Sequence, residues 1–253
     1  MYLFSLNFFI FCFLLLKASY ILPSELTDHW IVWNTGQGQW VTHVTNDICR
    51  HYDVGGEVGR FQAVRSRLIH FCQARDNQIV LSHWDFDHYV HIPALAKVMP
   101  RVCWLSQPDA ETNKSTAQAI INLRIRPCNE NLFLVTRGGA QKWRPLKSKT
   151  TNESSGVFVE QNILLPGDSP ITQEKKWIHE IGNLDQVRVL ILGHHGSRTS
   201  TGVDLLQHLK KLKMTVASAR FAKYHHPHPS TLQRIRNRGV PVLKTEDWGN
   251  IHF

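Results

Sequence analysis

Residues 83–88 read His83-Trp84-Asp85-Phe86-Asp87-His88 and follow directly on a short apolar run, Ile79-Val80-Leu81. Four side chains able to bind a metal fall within six positions, at the end of what reads as a buried strand. Side chains on an extended loop alternate in direction. His83, Asp85 and Asp87 are therefore expected to face one way, Trp84 and Phe86 to pack the other way, and His88 to turn back from the start of the next element. Imidazole and carboxylate together suit zinc, manganese or iron. Two further apolar runs end in the same manner. Leu164-Leu165-Pro166-Gly167 leads into Asp168, and Val187 to Leu192 leads into Gly193-His194-His195-Gly196-Ser197. Alone, Asp168 reads as a cap for a helix starting near Ile171, and a lone His pair is as readily a surface feature as a ligand. Three strand ends delivering ligands to one edge make a metal site the better account. Its ligands are expected to be His83, Asp85, Asp87, His88, Asp168 and His195.

The rest of the chain is organised around such strands. Trp30 to Trp33 and Trp40 to Val44 read as strands around the turn Asn34 to Gln39, and Ile48 to Val54 continues the series to Gly55-Gly56. Phe61, Val64, Leu68 and Phe71 have helical spacing within Phe61 to Cys72. Ser115 to Ile125 reads as a helix and Leu132 to Val135 as a strand. Val157 to Val159 and Ile163 to Leu165 form a hairpin pattern. Ile171 to Ile181 is helical, followed by the strand Val187 to Leu192. Val203 to Leu212, Thr215 to Ala219, Ser230 to Arg238 and Val240 to Leu243 then alternate helix and strand. Two strand-rich halves with helices between them fit a four-layer α/β sandwich; periodicity alone also fits a three-layer α/β fold.

With 253 residues, 42% hydrophobic and 19% charged, the chain is long enough for one large domain and has no linker after residue 25 that would split it. Twenty-nine Lys and Arg against twenty Asp and Glu leave a net charge of +9, which suits nucleic acid, an anionic membrane surface or a phosphorylated substrate. Met1 to Leu16 is almost wholly apolar. It is short for a membrane span and fits the core of a signal peptide, with Ala18-Ser19-Tyr20 as a cleavage region, although no Lys or Arg precedes it. Residues 1–20 are thus expected to be a signal peptide or membrane anchor and 25–253 the working domain, exported or anchored facing outward. Folding is not expected to need the first segment; the alternative is a buried N-terminal element. Cys49, Cys72, Cys103 and Cys128 lack Cys-x-x-Cys spacing, which argues against a cysteine zinc site. In an exported chain they can form two disulfides in any of three pairings; otherwise they are small core residues.

The ordered motifs His-x-Asp-x-Asp-His, Gly-Asp and His-His-Gly-Ser resemble those of the metallo-β-lactamase superfamily. More narrowly, residues 30 to 253 look like the C-terminal domain of ComEC-type DNA-internalisation competence proteins. The turn Asn34 to Gln39 stands where that family has Asp-Val-Gly-Gln-Gly-Asp, and Asp53-Val54-Gly55 where it has Asp-Ala-Gly. Asn152 with Ser154 or Ser155 matches its Asn and Ser pair. His226-Pro227-His228-Pro229 matches its His-Pro-His-Pro, and Arg238 to Thr245 its closing stretch. This chain departs from the pattern at Asn34 and Gln39, which replace two acids, and at Val90-His91, which replace a Gly-Gly. No His lies between His91 and His179 to supply the superfamily's third-motif ligand.

The resemblance implies a four-layer αββα sandwich and a hydrolase with one or two divalent ions, zinc or manganese. His83 and Asp85 would serve one ion, Asp87, His88 and His195 the other, with Asp168 bridging and the first site the weaker. Asp87, His194 and His228 are the candidate catalytic groups, the two histidines holding phosphate or protonating the leaving oxygen. Asn152, Ser154, Ser197 and His226 are candidate substrate contacts. The implied substrate is a DNA strand degraded during uptake, gripped through its phosphates. Lys210, Lys211, Lys213, Arg220 and Lys223, with Arg234, Arg236 and Arg238, supply positive charge around the His-Pro-His-Pro stretch. The alternatives are a hydrolase of a small exported phosphoester and a DNA-binding module without catalysis.

Overall fold

Alternation along the strands sends successive side chains to two different cores. A computed structural model describes residues 28–109, 111–129 and 140–253. In the first half β1 (His29–Val32), β2 (Val41–Val44), β3 (Ile48–Tyr52), β4 (Asp76–Val80) and β5 (Val102–Ser106) lie side by side. In the second half β6 (Gln141–Trp143), β7 (Val157–Glu160), β8 (Ile163–Leu165), β9 (Val189–Ile191), β10 (Met214–Ala217) and β11 (Val242–Lys244) form another sheet. The last strand, β12 (Ile251–His252), crosses back to pair antiparallel with β1, so each sheet has six strands. Within each sheet the strands that deliver ligands are parallel: β3 with β4, and β8 with β9 and β10.

Trp30 and Val32 of β1 face Phe158, Ile163, Leu165 and Ile191 of the second sheet in a central core. Ile31 and Trp33 point the other way, into a core with Phe61, Val64 and Leu68 of α1 (Phe61–Cys72). That outer layer also holds α2 (Phe86–Tyr89), α3 (Ile92–Val98) and α4 (Ser115–Ile121), with Tyr89, Leu95 and Ile120 in the same core. Val157, Val159 and Leu164 do the same on the far side. They meet Trp177 of α5 (Ile171–Glu180), Leu205 of α6 (Val203–His208) and, beyond α7 (Phe221–Tyr224), Ile235 of α8 (Pro229–Asn237). A short α9 (Thr245–Trp248) precedes β12. The result is the four-layer αββα sandwich, not the three-layer alternative.

Boundaries differ from expectation where the chain must turn. The first-half strand expected to run to Val54 ends at Tyr52, because Asp53 takes a left-handed conformation with φ of 55°. The helix expected to reach Leu212 stops at His208, after which Lys213 N–H donates to Arg188 O at the start of β9. The helix expected to reach Ile125 ends at Ile121. Residues 1–20 and the strand expected at Leu132 to Val135 lie outside the described residues. No helix among the described residues is long and apolar enough to cross a membrane. The cysteines pair as Cys49–Cys72, tying β3 to α1, and Cys103–Cys128, tying β5 to the segment after α4.

At the sheet ends remote from Asp168, a buried ionic network links the two sheets. Glu160 of β7 accepts hydrogen bonds from Arg50 and from Tyr52 Oη at 2.5 Å, and its Oε1 lies 3.1 Å from His43 Nδ1. Arg50 and Glu160 are each only 2% exposed. Burial alone would raise the Glu160 pKa, but His43 and Arg50 overcome it and hold the carboxyl below its ordinary value. Burial likewise works against the His43 imidazolium, and Glu160 and Asp28 together raise its pKa. Removing one partner of such a pair strands the other charge in the interior. Glu160→Ala is therefore expected to cost about 3–5 kcal/mol in urea unfolding, and the double change with Arg50→Met much less. The sign with pH follows from the two shifts. The Glu160 contribution is complete above its ordinary pKa of 4.5 and lost as pH falls through the folded value; that of His43 is complete below 6.5 and lost as pH rises through its own. The penalty should be largest between those two values, as unfolding of both proteins across pH will check.

Candidate metal centre

The loop after β4 is locked before any ligand is placed. Asp53, at the end of β3, accepts Ser82 N–H at 2.7 Å through Oδ1. Its Oδ2 accepts Ser82 Oγ–H at 2.9 Å, Gln39 Nε2–H at 2.9 Å and the imidazole of His88 at 2.8 Å. The backbone of the loop is bolted as well: Asp87 O accepts Gln39 N–H and Gly56 N–H, and His88 O accepts Val54 N–H. This contact leaves no room at Gly55, where an added Cβ would sit 1.7 Å from Asp87 O. The Asp-Val-Gly-Gly segment thus exists to let two backbones touch.

Three imidazoles converge with the same orientation. His195 Nδ1 donates to Ser218 O at 2.9 Å, and His88 Nδ1 donates to Asp53. Ser82 has given its only proton to Asp53, so it accepts from His83 Nδ1 at 2.9 Å. With every Nδ1 tied in this way, each Nε2 carries its lone pair toward the centre, the arrangement in which metal-binding histidines are held. The donor atoms of His83, His88 and Asp168 lie within 4.8 Å of one another, as do those of Asp87, His88 and His195.

Asp168 closes the cluster from β8. Its N–H donates to Ser155 Oγ at 3.1 Å. Its Oδ1 lies 3.0 Å from His88 Nε2 and 3.8 Å from His195 Nε2, whereas Oδ2 lies 3.7 Å from His83 Nε2 and 3.6 Å from His194 Nε2. One oxygen therefore faces each side, as a bridging carboxylate requires. Although these atoms are close, His83 Nε2 and Asp168 Oδ1 are buried without a hydrogen bond. His88 and His195 also turn their Nε2 atoms on each other at 3.3 Å. Buried imidazole nitrogens turned on each other and an orphaned buried carboxylate oxygen are costly; a divalent cation would satisfy both, and the donor set fits one.

Electrostatics keep the carboxylate donors in the form that a metal needs, while the same carboxylates raise the His88 and His195 pKa values, so that a cation would enter by displacing protons. Burial would raise the Asp87 and Asp168 pKa values, but the neighbouring imidazoles, His195 and His88 above all, hold both carboxyls well below the ordinary range. Asp85 is different. It offers Oδ2 to His83 Nε2 at 3.3 Å, but its Oδ1 is taken by the Lys114 ammonium. His83 and Lys114 outweigh burial and bring it down to about 2.

The remaining candidates divide. His194 and His195 both adopt left-handed backbone, with φ of 49° and 56°. The strained turn aims one ring into the cluster and leaves the other at its rim, where Asn152 Nδ2 lies 3.3 Å from His194 Nδ1 and the His226 ring 5.7 Å away. Burial and the neighbouring imidazoles lower the His226 pKa to about 4. Others are anchored to the scaffold through one atom. His228 Nδ1 accepts Ser230 N–H at 3.1 Å as the cap of α8. Ser154 Oγ donates to Thr151 O, and Ser197 Oγ accepts Thr199 N–H within its own turn. The serine that reaches the cluster is Ser155.

The basic residues also separate. Lys210, Lys211 and Lys213 precede β10, at the end of the sheet opposite to the ligands, since the chain runs from them through the strand to Ser218. Arg234 donates to Thr201 O and Ser200 O, and Arg238 to Leu206 O. Arg220 and Lys223, beyond β10, lie on the site side.

The sequence marked Asp53, and Ser155 as the alternative to Ser154, only as motif matches, and it did not mark Ser218. For Asp53 a signal was present, a carboxylate at a strand end before Val-Gly-Gly; a backbone carbonyl such as Ser218 O leaves none. Asp53→Ala is expected to leave the fold intact and weaken metal binding by about tenfold to a hundredfold. Calorimetric titration of metal-free protein will measure it, and unchanged affinity would remove Asp53 from the centre.

No family model matches the sequence. Competence protein ComA of Neisseria gonorrhoeae is 26% identical over 229 residues, covering 88% of this chain and 31% of that protein. ComE operon protein 3 of Bacillus subtilis (strain 168) is 32% identical over 112 residues, covering 43% of this chain and 14% of that protein. The chain thus spans about a third or less of these curated relatives. Among solved structures, the metallo-β-lactamase fold protein YhfI from Bacillus subtilis superposes with a TM-score of 0.56 at 10% identity, covering 89% of this chain and 100% of that one. The chain is a metallo-β-lactamase-fold protein whose sequence is similar to part of the competence proteins.

Proposed function

We propose that the chain is a metal-dependent phosphodiesterase that cleaves a DNA strand. The observation that carries the hydrolytic half is the Asp168 carboxylate, which presents one oxygen to His88 and His195 and the other to His83 and His194. His88 and His195 with Asp87 would hold one ion; His83 with Asp168, assisted by Asp85, would hold the second. When bound, such ions supply Lewis acidity, polarising a phosphoryl oxygen and bringing the pKa of water to about 7.

The chain's own groups do the rest. Asp87 and Asp168 stay deprotonated and so repel a second anion until cations are in place. His194, at the rim with its pKa lowered by burial, is neutral near pH 7 and able to accept or return a proton at the leaving oxygen. Asn152 orients that ring. His226 is neutral too and faces His194, so it serves as a hydrogen-bonding partner for substrate rather than as a cation. The second ion has the weaker hold, because Lys114 competes for Asp85.

The net charge of +9 and the similarity to competence proteins support DNA as the substrate. Of the basic residues around the His-Pro-His-Pro stretch, Arg220 and Lys223 stand on the site side of β10, in place of the Lys210 to Lys213 run. The two disulfides support an oxidising, exported location.

Asp168→Ala is expected to abolish cleavage while the protein keeps its circular dichroism spectrum. Substantial turnover at matched metal content would overturn the bridging role. DNA affinity should fall with salt, by about 0.7 log units per tenfold salt for each phosphate contacted on a single strand. Lys223→Gln should flatten that slope, and the Lys210, Lys211 and Lys213 triple Gln variant should not. Salt-independent affinity would favour a small phosphoester instead, and DNA binding without cleavage would favour a binding module.

A further inference from the structure

A concavity adjoins the metal centre. Its volume is about 410 Å³, within the range of small-molecule sites, and Asp87 lines it. The Asp87 carboxylate lies 3.2 Å from His195 Nε2, so whatever fills the cavity sits next to the reacting centre. Phe86 and Tyr224 form its aromatic walls, 43% and 57% exposed. Large rings left in water around a concavity mark a surface that is covered when it works.

Both rings have neighbours that set their pose. Phe86 packs edge-on against Tyr89 at 5.9 Å, and Tyr224 lies 6.2 Å from the His226 ring. The Lys223 ammonium stands 5.8 Å from the Tyr224 ring centroid and brings positive charge to the same wall. Part of the polar side of the cavity is engaged with itself. Glu57 Oε1 accepts Gln37 N–H at 3.2 Å and pairs with Arg220 Nε at 2.8 Å, while Gln37 Oε1 accepts Arg220 N–H at 3.2 Å.

We propose that this cavity takes the base of a nucleotide flanking the scissile phosphodiester, stacked on Phe86 and Tyr224 with Lys223 beside its phosphate. The inference rests on the nuclease reading above. Flat aromatic walls, an adjacent cation and a neighbouring centre for phosphoryl chemistry match a nucleotide unit. Stacking is tolerant of base identity, and the contact that Phe86 and Tyr224 offer is to a ring face rather than to a base edge. The cavity therefore grips without selecting sequence. A base paired in a duplex is stacked on its neighbours and must leave them to enter, so the cavity favours an unpaired strand.

The test uses the full chain with metal and a single-stranded oligonucleotide carrying 2-aminopurine at successive positions. One position is expected to be quenched on binding. Tyr224→Ala should lose that quench and bind about tenfold more weakly, as expected for one lost stack, whereas Tyr224→Phe should keep both. An abasic site at the quenched position should cost wild type at least that factor and cost Tyr224→Ala less. Because that comparison is made within wild type, it does not depend on how the variants fold. Cleavage by wild type with no quenched position, or with equal affinity for the abasic strand, overturns the stacking site and leaves the nuclease reading standing. A quench lost in Tyr224→Ala, with no cleavage by wild type, overturns the nuclease reading and leaves a base-binding site. Neither quench nor cleavage overturns both.

Discussion

The Asp53 carboxylate is the contact on which the working end of this molecule depends. It takes four hydrogen bonds, from Ser82 N–H, Ser82 Oγ–H, Gln39 Nε2–H and His88 Nδ1–H. Each acts on a different part of the site. The first fixes where β4 ends, and the second forces Ser82 to accept from His83. The third ties down the opening turn, and the fourth points His88 Nε2 inward. One side chain that faces no substrate thus sets the tautomer of two prospective ligands. It does so from a left-handed backbone conformation that non-glycine residues seldom adopt. Such strain persists only where the surroundings over-determine it, and four buried hydrogen bonds do so here.

A complementary device works at the other end of the sandwich. Glu160, Arg50, Tyr52 and His43 hold the two sheets in register through charge, where the central core of Trp30, Phe158 and Ile191 supplies non-directional burial. Hydrophobic contact alone tolerates sliding of one sheet over the other. A buried ionic network does not, because a shift would leave charges unpaired. The ligands come from both sheets, His83 and His88 from one and Asp168 and His195 from the other. Their spacing therefore inherits the precision of that distant network.

The tertiary structure also sorted side chains that look alike in sequence. Ser154 and Ser155 are neighbours, yet one closes a turn on Thr151 O and the other receives the Asp168 N–H. His226 and His228 share a Pro-rich motif, but His228 caps α8 while His226 turns to His194. The basic residues on either side of β10 part because a strand separates them, which carries Lys213 and Arg220 to opposite ends of the sheet. Local spacing contains none of this, since each outcome depends on which partner lies across the fold.

By itself the sequence determined the donor set and the need for cover on both faces of the first sheet. Imidazoles and carboxylates placed after apolar runs must gather at one edge when those runs become neighbouring parallel strands. A run such as Trp30-Ile31-Val32-Trp33 demands a core on both faces of its sheet. Whether the sheets stacked in four layers or three was open to periodicity, and so was the pairing of the cysteines, because both are contacts between segments far apart in the chain. Only the tertiary structure decided that Asp53 orients His88, that Lys114 occupies Asp85, and that an aromatic cavity opens beside Asp87. Each of these arises where residues from separate elements meet, and hydrogen-bond geometry and burial exist only once they do.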